Sequence, residues 1–308
     1  MRPILLLPVL IVFGVAGVTP ARAADIAVIL SAPVDAYEET LRGFEDTVGH
    51  RIVAEYDMQG DFNRGRKILA EIRSDVQPDL ILAVGVWALQ AIVRDPPDIP
   101  VVFAMVLNPS TVIGSEPRNI TGASMNVPVE QSIQLLEELG PTIRRVGVIY
   151  SAAETGYLVE KAAAAAQERG LELVAREIAS SKQAVQAVNA LRAEGIDALW
   201  ILPDETVLDP TVLEYALLWS YRYKIPLLGL SERQAEMGAL LSVSFGSSRD
   251  IGRQAGELAN VILEGGGDGP IPYTTARSIR VIVNLKAAEK LGVEIPESIL
   301  AMADTVIR

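Results

Sequence analysis

The sequence predicts an α/β protein made of two Rossmann-like lobes with parallel sheets. Three observations carry that prediction. Short β-rich runs alternate with helical segments along the chain, which is the pattern of successive βα units. Several of these runs are apolar at consecutive positions, as strands covered on both faces must be. The 308 residues also exceed what one core usually holds, so lobes of about 100 to 170 residues are expected.

Taken in order, the strands fall at 26–30, 52–56, 80–84, 101–105, 120–124, 146–150, 173–178, 198–202, 227–230, 240–243 and 279–283. Helical spacing marks 34–48, 64–74, 128–139, 155–169, 182–194, 210–223 and 249–263 between them. The alanines at 162–166 stand between Glu160-Lys161 and Gln167-Glu168 and read as a strong helix, not a low-complexity tract. The run Gly265-Gly266-Gly267-Asp268-Gly269-Pro270 is the clearest punctuation and reads as a crossing between lobes.

Ahead of the first strand, Arg2 precedes an apolar run over 4–18, then Thr19-Pro20 and Ala21-Arg22-Ala23. That is the order of a secretory signal with cleavage after Ala23, or Ala24 as the fallback. Broken by Pro8, Gly14 and Gly17, the run falls short of the ~20 residues a bilayer core requires. With no cysteine there is no disulfide framework, thiolate metal site or lipid-modified cysteine. An exported, unanchored protein of this kind points to a Gram-negative periplasm. The net charge of −12 becomes −14 when Arg2 and Arg22, two positive charges, leave with the signal. Nucleic acid and anionic membrane surfaces are thereby disfavoured as partners.

Catalytic classes find little support. His50 is the one histidine, beside Arg51 in a helix-to-strand turn, and no G-x-S-x-G elbow accompanies it. Asp and Glu sit at surface spacings such as Glu38-Glu39 and Glu137-Glu138, so no metal site is expected. No phosphate-binding P-loop or G-x-G-x-x-G occurs, so no nucleotide cofactor is expected either. Asn119-Ile120-Thr121 matches a glycosylation sequon by accident, and Arg144-Arg145 reads as a solvated loop.

Doubly wound sheets place ligands at the carboxyl ends of their strands, which directs attention to the loops there. Trp87 follows Gly85 and opens a helix whose N-terminus can receive an anion; it faces either a ligand or the core. Trp200 and Trp219 read as core. Asn108, held by Pro109, is either a cleft amide or a plain Asn-Pro turn. Asp204 either takes a ligand amino group, with Thr206 beside it, or caps a helix.

These loops lie among longer runs. Val101-Val102-Phe103-Ala104 with Asn108-Pro109, Asn119-Ile120-Thr121-Gly122, Arg144-Arg145-Val146-Gly147-Val148-Ile149-Tyr150, Gly252-Arg253-Gln254-Ala255-Gly256-Glu257-Leu258-Ala259 and Val283-Asn284-Leu285-Lys286-Ala287-Ala288 together resemble the tryptophan/tyrosine-type substrate-binding proteins of ABC transporters. Order and spacing match from about Asp25 to Ile307. The resemblance implies a type I periplasmic-binding-protein fold with three inter-lobe crossings, near 122–126, 245–247 and 265–271. It divides the chain into a signal peptide (1–23), a first lobe (24–122 with 247–268) and a second lobe (123–246 with 269–308).

It further implies a monomer that captures a small molecule, an amino acid or related compound, and hands it to an inner-membrane ABC permease and its ATPase. Family ligand positions fall on Ser31, Tyr37, Gly85, Val86, Trp87, Asn108 and Pro109 in the first lobe, and on Ser151, Asp204, Thr206 and Glu232 in the second, with Phe245 at a crossing. This chain has Val86-Trp87 where the family often has Thr-Pro or Ser-Pro, Asn108-Pro109 in place of Asp-Pro, and Ser244-Phe245-Gly246 in place of an Asp-Tyr pair. Two lost acids and a gained tryptophan fit a more apolar or neutral ligand than an aromatic amino acid. An alternative reading has the loaded protein signal to a sensor kinase or chemoreceptor. A third, an exported enzyme using Asp204 and Glu232 as an acid/base pair, lacks any further nucleophile or cofactor.

Overall fold

A computed structural model describes residues 23–114, 119–265 and 271–308. The expected signal peptide and most of the glycine-rich run at 265–270 lie outside the described residues. The first lobe begins with β1 (Asp25–Leu30), α1 (Asp35–Glu45), β2 (Arg51–Asp57) and α2 (Phe62–Glu71), which runs into a π-helical turn at Ile72–Val76. It continues through β3 (Leu80–Val84), α3 (Val86–Arg94), β4 (Val101–Val106), the short α4 (Ser110–Ile113) and β5 (Ile120–Ser124). The second lobe contains α5 (Val129–Glu138), β6 (Arg145–Tyr150), α6 (Ala152–Glu168), β7 (Glu172–Glu177), α7 (Ala184–Ala193), β8 (Ala198–Trp200), α8 (Pro210–Tyr223), β9 (Leu227–Gly229), α9 (Glu232–Met237) and β10 (Leu241–Phe245). Then come α10 (Ser248–Leu263), β11 (Ile279–Asn284), α11 (Leu285–Leu291), α12 (Glu297–Met302) and β12 (Thr305–Ile307).

The two sheets are wound alike. One has the order β2-β1-β3-β4-β5, all parallel; the other contains β7-β6-β8-β9-β10 and adds β11, antiparallel to β10, and β12. Central strands β3 and β4 are buried at every position, which is why they read as unbroken apolar runs. Side-chain caps set several helix starts: Asp209 Oδ1 accepts from Thr211 N (2.8 Å) ahead of Pro210, and Asn284 Oδ1 accepts from Ala287 N (2.8 Å).

α10 follows β10 in sequence but packs on the first lobe. Ile251, Ala255 and Ala259 join the core formed by Ile26, Val28 and Phe44. Its close approach to α1 requires glycine: a Cβ on Gly252 would lie 1.9 Å from Thr40 O, and one on Gly43 would lie 2.0 Å from Arg249 O. Arg249 adds an ion pair to Asp46 at 2.7 Å.

Three segments cross between the lobes side by side. Ser124 N donates to Thr274 O (2.9 Å), Thr274 N to Gly122 O (2.9 Å) and Ala276 N to Asn126 O (2.9 Å), while Gly246 N donates to Ser278 O (2.7 Å). The third crossing therefore comes later than the expected 265–271. Ile271 and Ala276 still pack on the first core, and Gln254 of α10 holds this stretch by donating to Thr275 O (2.7 Å) and accepting from Arg277 N (3.2 Å). The chain passes to the second sheet only at β11, which moves residues 271–276 from the second lobe to the first.

Replacing Gly252 by Ala should lower the unfolding free energy by about 3 kcal/mol, because the methyl group meets a backbone carbonyl that cannot yield without parting α1 from α10. Urea denaturation checks this.

Candidate functional site

The carboxyl ends of both sheets face the space between the lobes, and the crossings form its floor. A backbone irregularity shapes the first-lobe side. The β4–β5 register shifts between Ala104 and Val106, and Met105 there has φ 57. Three residues on, Asn108 has φ 47, a conformation asparagine tolerates better than most residues. The shift turns Leu107 and Asn108 out of the sheet.

Asn108 is 6% exposed and sits at the centre of a polar network that joins the lobes. Its N–H donates to Asn126 Oδ1 (2.9 Å), and its Oδ1 accepts from Asn126 Nδ2 (3.0 Å) and from the Tyr157 hydroxyl (3.2 Å). Asn126 Nδ2 also donates to the Tyr157 hydroxyl (3.1 Å), and Asn108 Nδ2 donates to the carbonyl of Pro203. Tyr157 lies on α6 and Pro203 follows β8, so both partners belong to the second lobe. Burial raises the Tyr157 phenol above its ordinary pKa, which keeps it protonated at neutral pH.

Beside this network lies a cavity of about 280 Å³. Leu107 of the first lobe and Met125 and Asn126 of the first crossing form one side, and Trp200, Leu202, Leu230, Gln234 and Phe245 are among the residues enclosing the rest. It runs from the inter-lobe face toward the second core, where Leu158 and Val243 pack.

Of the residues expected at the site, Phe245 lines this cavity and Asn108 forms the adjoining network. Pro109 is the residue before α4. Ser31, Tyr37, Gly85, Val86 and Trp87 gather in a separate first-lobe cluster. Gly85 has φ 88 and lies so close that a Cβ would stand 2.6 Å from both Ser31 Oγ and the Tyr37 hydroxyl. Ser31 Oγ donates to Val84 O (2.8 Å) and accepts from Ala88 N (2.9 Å), so this hydroxyl caps α3. Burial raises the Tyr37 phenol above its ordinary pKa. Trp87, 42% exposed, leans over Gly60 at the rim.

The second-lobe expectations need correction. Asp204 is fully buried, and its Oδ2 accepts from Ser151 N (2.6 Å) and the Thr155 hydroxyl (2.6 Å), while Oδ1 accepts from Val207 N (3.2 Å). The carboxylate thus pins the start of α6 to the loop after β8 and is spent on that junction, not on a ligand amino group. Thr206 donates to Glu154 Oε1 (3.2 Å), and Glu232 pairs with Arg280 at 3.3 Å. Asp204 and Glu232 hence serve separate contacts and do not assemble as an acid/base pair. His50 Nδ1 accepts from Ala24 N (3.2 Å), and Trp219 is core, its Nε1 donating to Asn189 Oδ1 (3.2 Å). Among the described residues, no group of three His, Asp or Glu is placed to hold a metal ion.

Sequence reasoning missed Tyr157, which lies inside a helical pattern, and Gln234, whose short helix α9 it did not mark, and assigned Trp200 to the core alone. Trp200 is indeed 3% exposed, yet it also lines the cavity. The sequence reading ran the strand over 198–202 and so placed Trp200 in its middle, whereas β8 ends at that residue and its side chain meets the cavity.

Two similarly wound lobes, three adjacent crossings and a cavity beside them define the architecture of a two-lobed solute-binding protein. The chain belongs to the family described as ABC transporter substrate binding protein, whose model matches residues 25–307. The family binds solutes and is not enzymatic. A tyrosine-binding protein from Clostridioides difficile is 27% identical over 263 residues, 82% of this chain and 74% of that protein. A conserved domain protein from Vibrio cholerae superposes with a TM-score of 0.62 at 28% identity, covering 92% of this chain and all of that one. A ligand-free, open substrate-binding protein with adhesive properties from Clostridium difficile gives 0.68 at 24% identity, covering 92% and 99%, and shares the fold. An L-Trp complex from Streptococcus pneumonia gives 0.64 at 23%, covering 92% and 100%, and likewise shares the fold.

Asp204→Ala should lower the unfolding free energy by about 3 kcal/mol, because it strands three donors in a buried junction, while the folded variant keeps its affinity for solute. Urea titration and calorimetry below the transition separate the two effects. Glu154 carries a second prediction: burial, then the nearby Asp204 charge, raises its pKa above the ordinary 4.5. A carboxyl raised in the folded state favours folding while protonated, so wild-type stability falls as pH rises through that raised value. Glu154→Gln should remove this loss, as read from stability across the acid range.

Proposed function

We propose that this protein is the periplasmic solute-capturing component of an ABC-type uptake system, closing its two lobes around a small molecule. The carrying observation is the cavity walled by both lobes directly beside the three crossings. Rotation about adjacent strand crossings changes the separation of the lobes while leaving each core intact. In this reading the Asn108–Tyr157–Pro203 contacts belong to the closed arrangement, and the cluster of Tyr37, Gly85 and Trp87 forms the outer wall of the cleft. Trp87 then lies against solute or the opposite lobe when the cleft shuts.

Export by the N-terminal signal and delivery to an inner-membrane permease and its ATPase complete the proposal. In support, no helix among the described residues is long and apolar enough to cross a membrane. Because a solute that binds only the folded state raises its melting temperature, a thermal-shift screen of amino acids, small amides, nucleosides and carboxylates tests the reading. A hit should also shrink the radius of gyration in small-angle scattering. Asn108→Asp puts an acceptor opposite the Pro203 carbonyl and should weaken that solute by about tenfold to a hundredfold, roughly 1.4 to 2.8 kcal/mol. A stabilising solute that leaves the scattering unchanged would contradict closure.

A further inference from the structure

The cavity has a chemical bias that narrows the solute, granting the reading of the protein as a solute carrier. No residue that lines it is charged. The ionised groups at the neighbouring strand ends are engaged elsewhere: Asp204 with Ser151 and Thr155, Glu232 with Arg280, and Glu154 with Glu205 N (2.5 Å) and Thr206. An ammonium or carboxylate placed inside would give up its hydration with no opposite charge to meet it, which disfavours charged head groups strongly.

The lining side chains without a partner among the described residues all carry a donor: the Trp200 indole, the Gln234 amide, and the hydroxyls of Ser132 and Ser244, of which the first two can only donate further. Gln234 is 8% exposed; its Oε1 accepts from Leu230 N (2.7 Å), which fixes the orientation of the amide and leaves its NH2 with no partner among the described residues. Trp200 is 3% exposed, and its indole N–H is buried without a partner. Asn126 offers nothing further as a donor, since its NH2 serves Asn108 and Tyr157. The buried indole N–H is penalised for lacking a partner, which an incoming acceptor supplies, and the Gln234 NH2 stands open to the same acceptor.

We infer that the cavity selects an uncharged solute with an apolar body and a carbonyl-type acceptor, such as an amide or lactam, which receives hydrogen bonds from Gln234 Nε2 and Trp200 Nε1. Size follows from volume: at ~30 Å³ per water, 280 Å³ corresponds to about nine water-sized groups, so the buried part has on the order of ten non-hydrogen atoms. Leu158, Leu202 and Val243 favour a branched aliphatic or aryl body over a polyhydroxylated one.

A matched series isolates the head group. 4-Methylpentanamide, 4-methylpentanoate, 3-methylbutylamine and leucine share an isobutyl tail, and 3-phenylpropanamide with phenylalanine forms the aryl pair. Calorimetry or tryptophan fluorescence at up to millimolar ligand should show at least one of the two amides binding ten times or more tighter than every charged relative. Trp200→Phe, which keeps a ring but no donor, and Gln234→Glu, which keeps the acceptor for Leu230 but loses the NH2, should each weaken that amide tenfold or more. Leucine or phenylalanine binding more tightly than its amide overturns the inference, as does failure of both amides to bind. Compaction with such a zwitterion would leave solute capture standing and remove only the substrate class.

Discussion

The structure turns on the way Asn108 is held. A register shift at Met105 lifts Asn108 out of β4 in a left-handed conformation, and Asn126, at the start of the first crossing, then grips it from both sides. Only from that position does its side chain reach the Pro203 carbonyl and the Tyr157 hydroxyl of the opposite lobe. The same few residues therefore lie at the first crossing, join the lobes and border the cavity. An asparagine suits the place because it tolerates the backbone angle and presents both donor and acceptor where contacts of both kinds are required.

Around that point, polar and apolar groups are divided between structure and recognition. Carboxylates that look available in sequence are absorbed by folding: Asp204 secures α6, and Glu232 meets Arg280. The hydroxyl of Ser31 caps α3. What remains facing the cavity is largely apolar surface with the unmatched donors of Trp200 and Gln234 and a few serine hydroxyls, and what remains at the outer rim is the exposed Trp87. In the proposed reading a ligand is recognised by shape and by the hydrogen bonds it accepts from these donors, with the lobes excluding water around it.

Much of the fold was legible because its signals are local. Fully buried strands such as β3 and β4 announce themselves as apolar runs, and Asp209-Pro210 or Ser247 announce a helix start. The three residues of β12 are too few to carry a period, and the third crossing was misplaced because glycine punctuation is visible in sequence whereas the pairing of Thr274 with Gly122 and Ser124 is not. At the site, the strand-end rule pointed to Asn108, which lies in the network joining the lobes. For Asp204 it left cap and ligand contact open, because the two roles look alike until the Ser151 and Thr155 donors are in place. Trp200 escaped because a cavity wall and a core are built from the same residue types, and only an unfilled volume tells them apart, whereas Gln234 escaped because α9, six residues long, is too short to show a helical period.

The central claim is that the lobes close on a solute through the three crossings. The absence of cysteine makes a distance measurement direct, since Lys67→Cys on α2 and Lys182→Cys ahead of α7 introduce the only thiols. Spin labels at these exposed positions report the separation of the two lobes by pulsed electron resonance. Two populations are predicted without solute, collapsing to a single narrow one when a stabilising solute saturates the protein. A single distance that does not change on saturation would contradict the account.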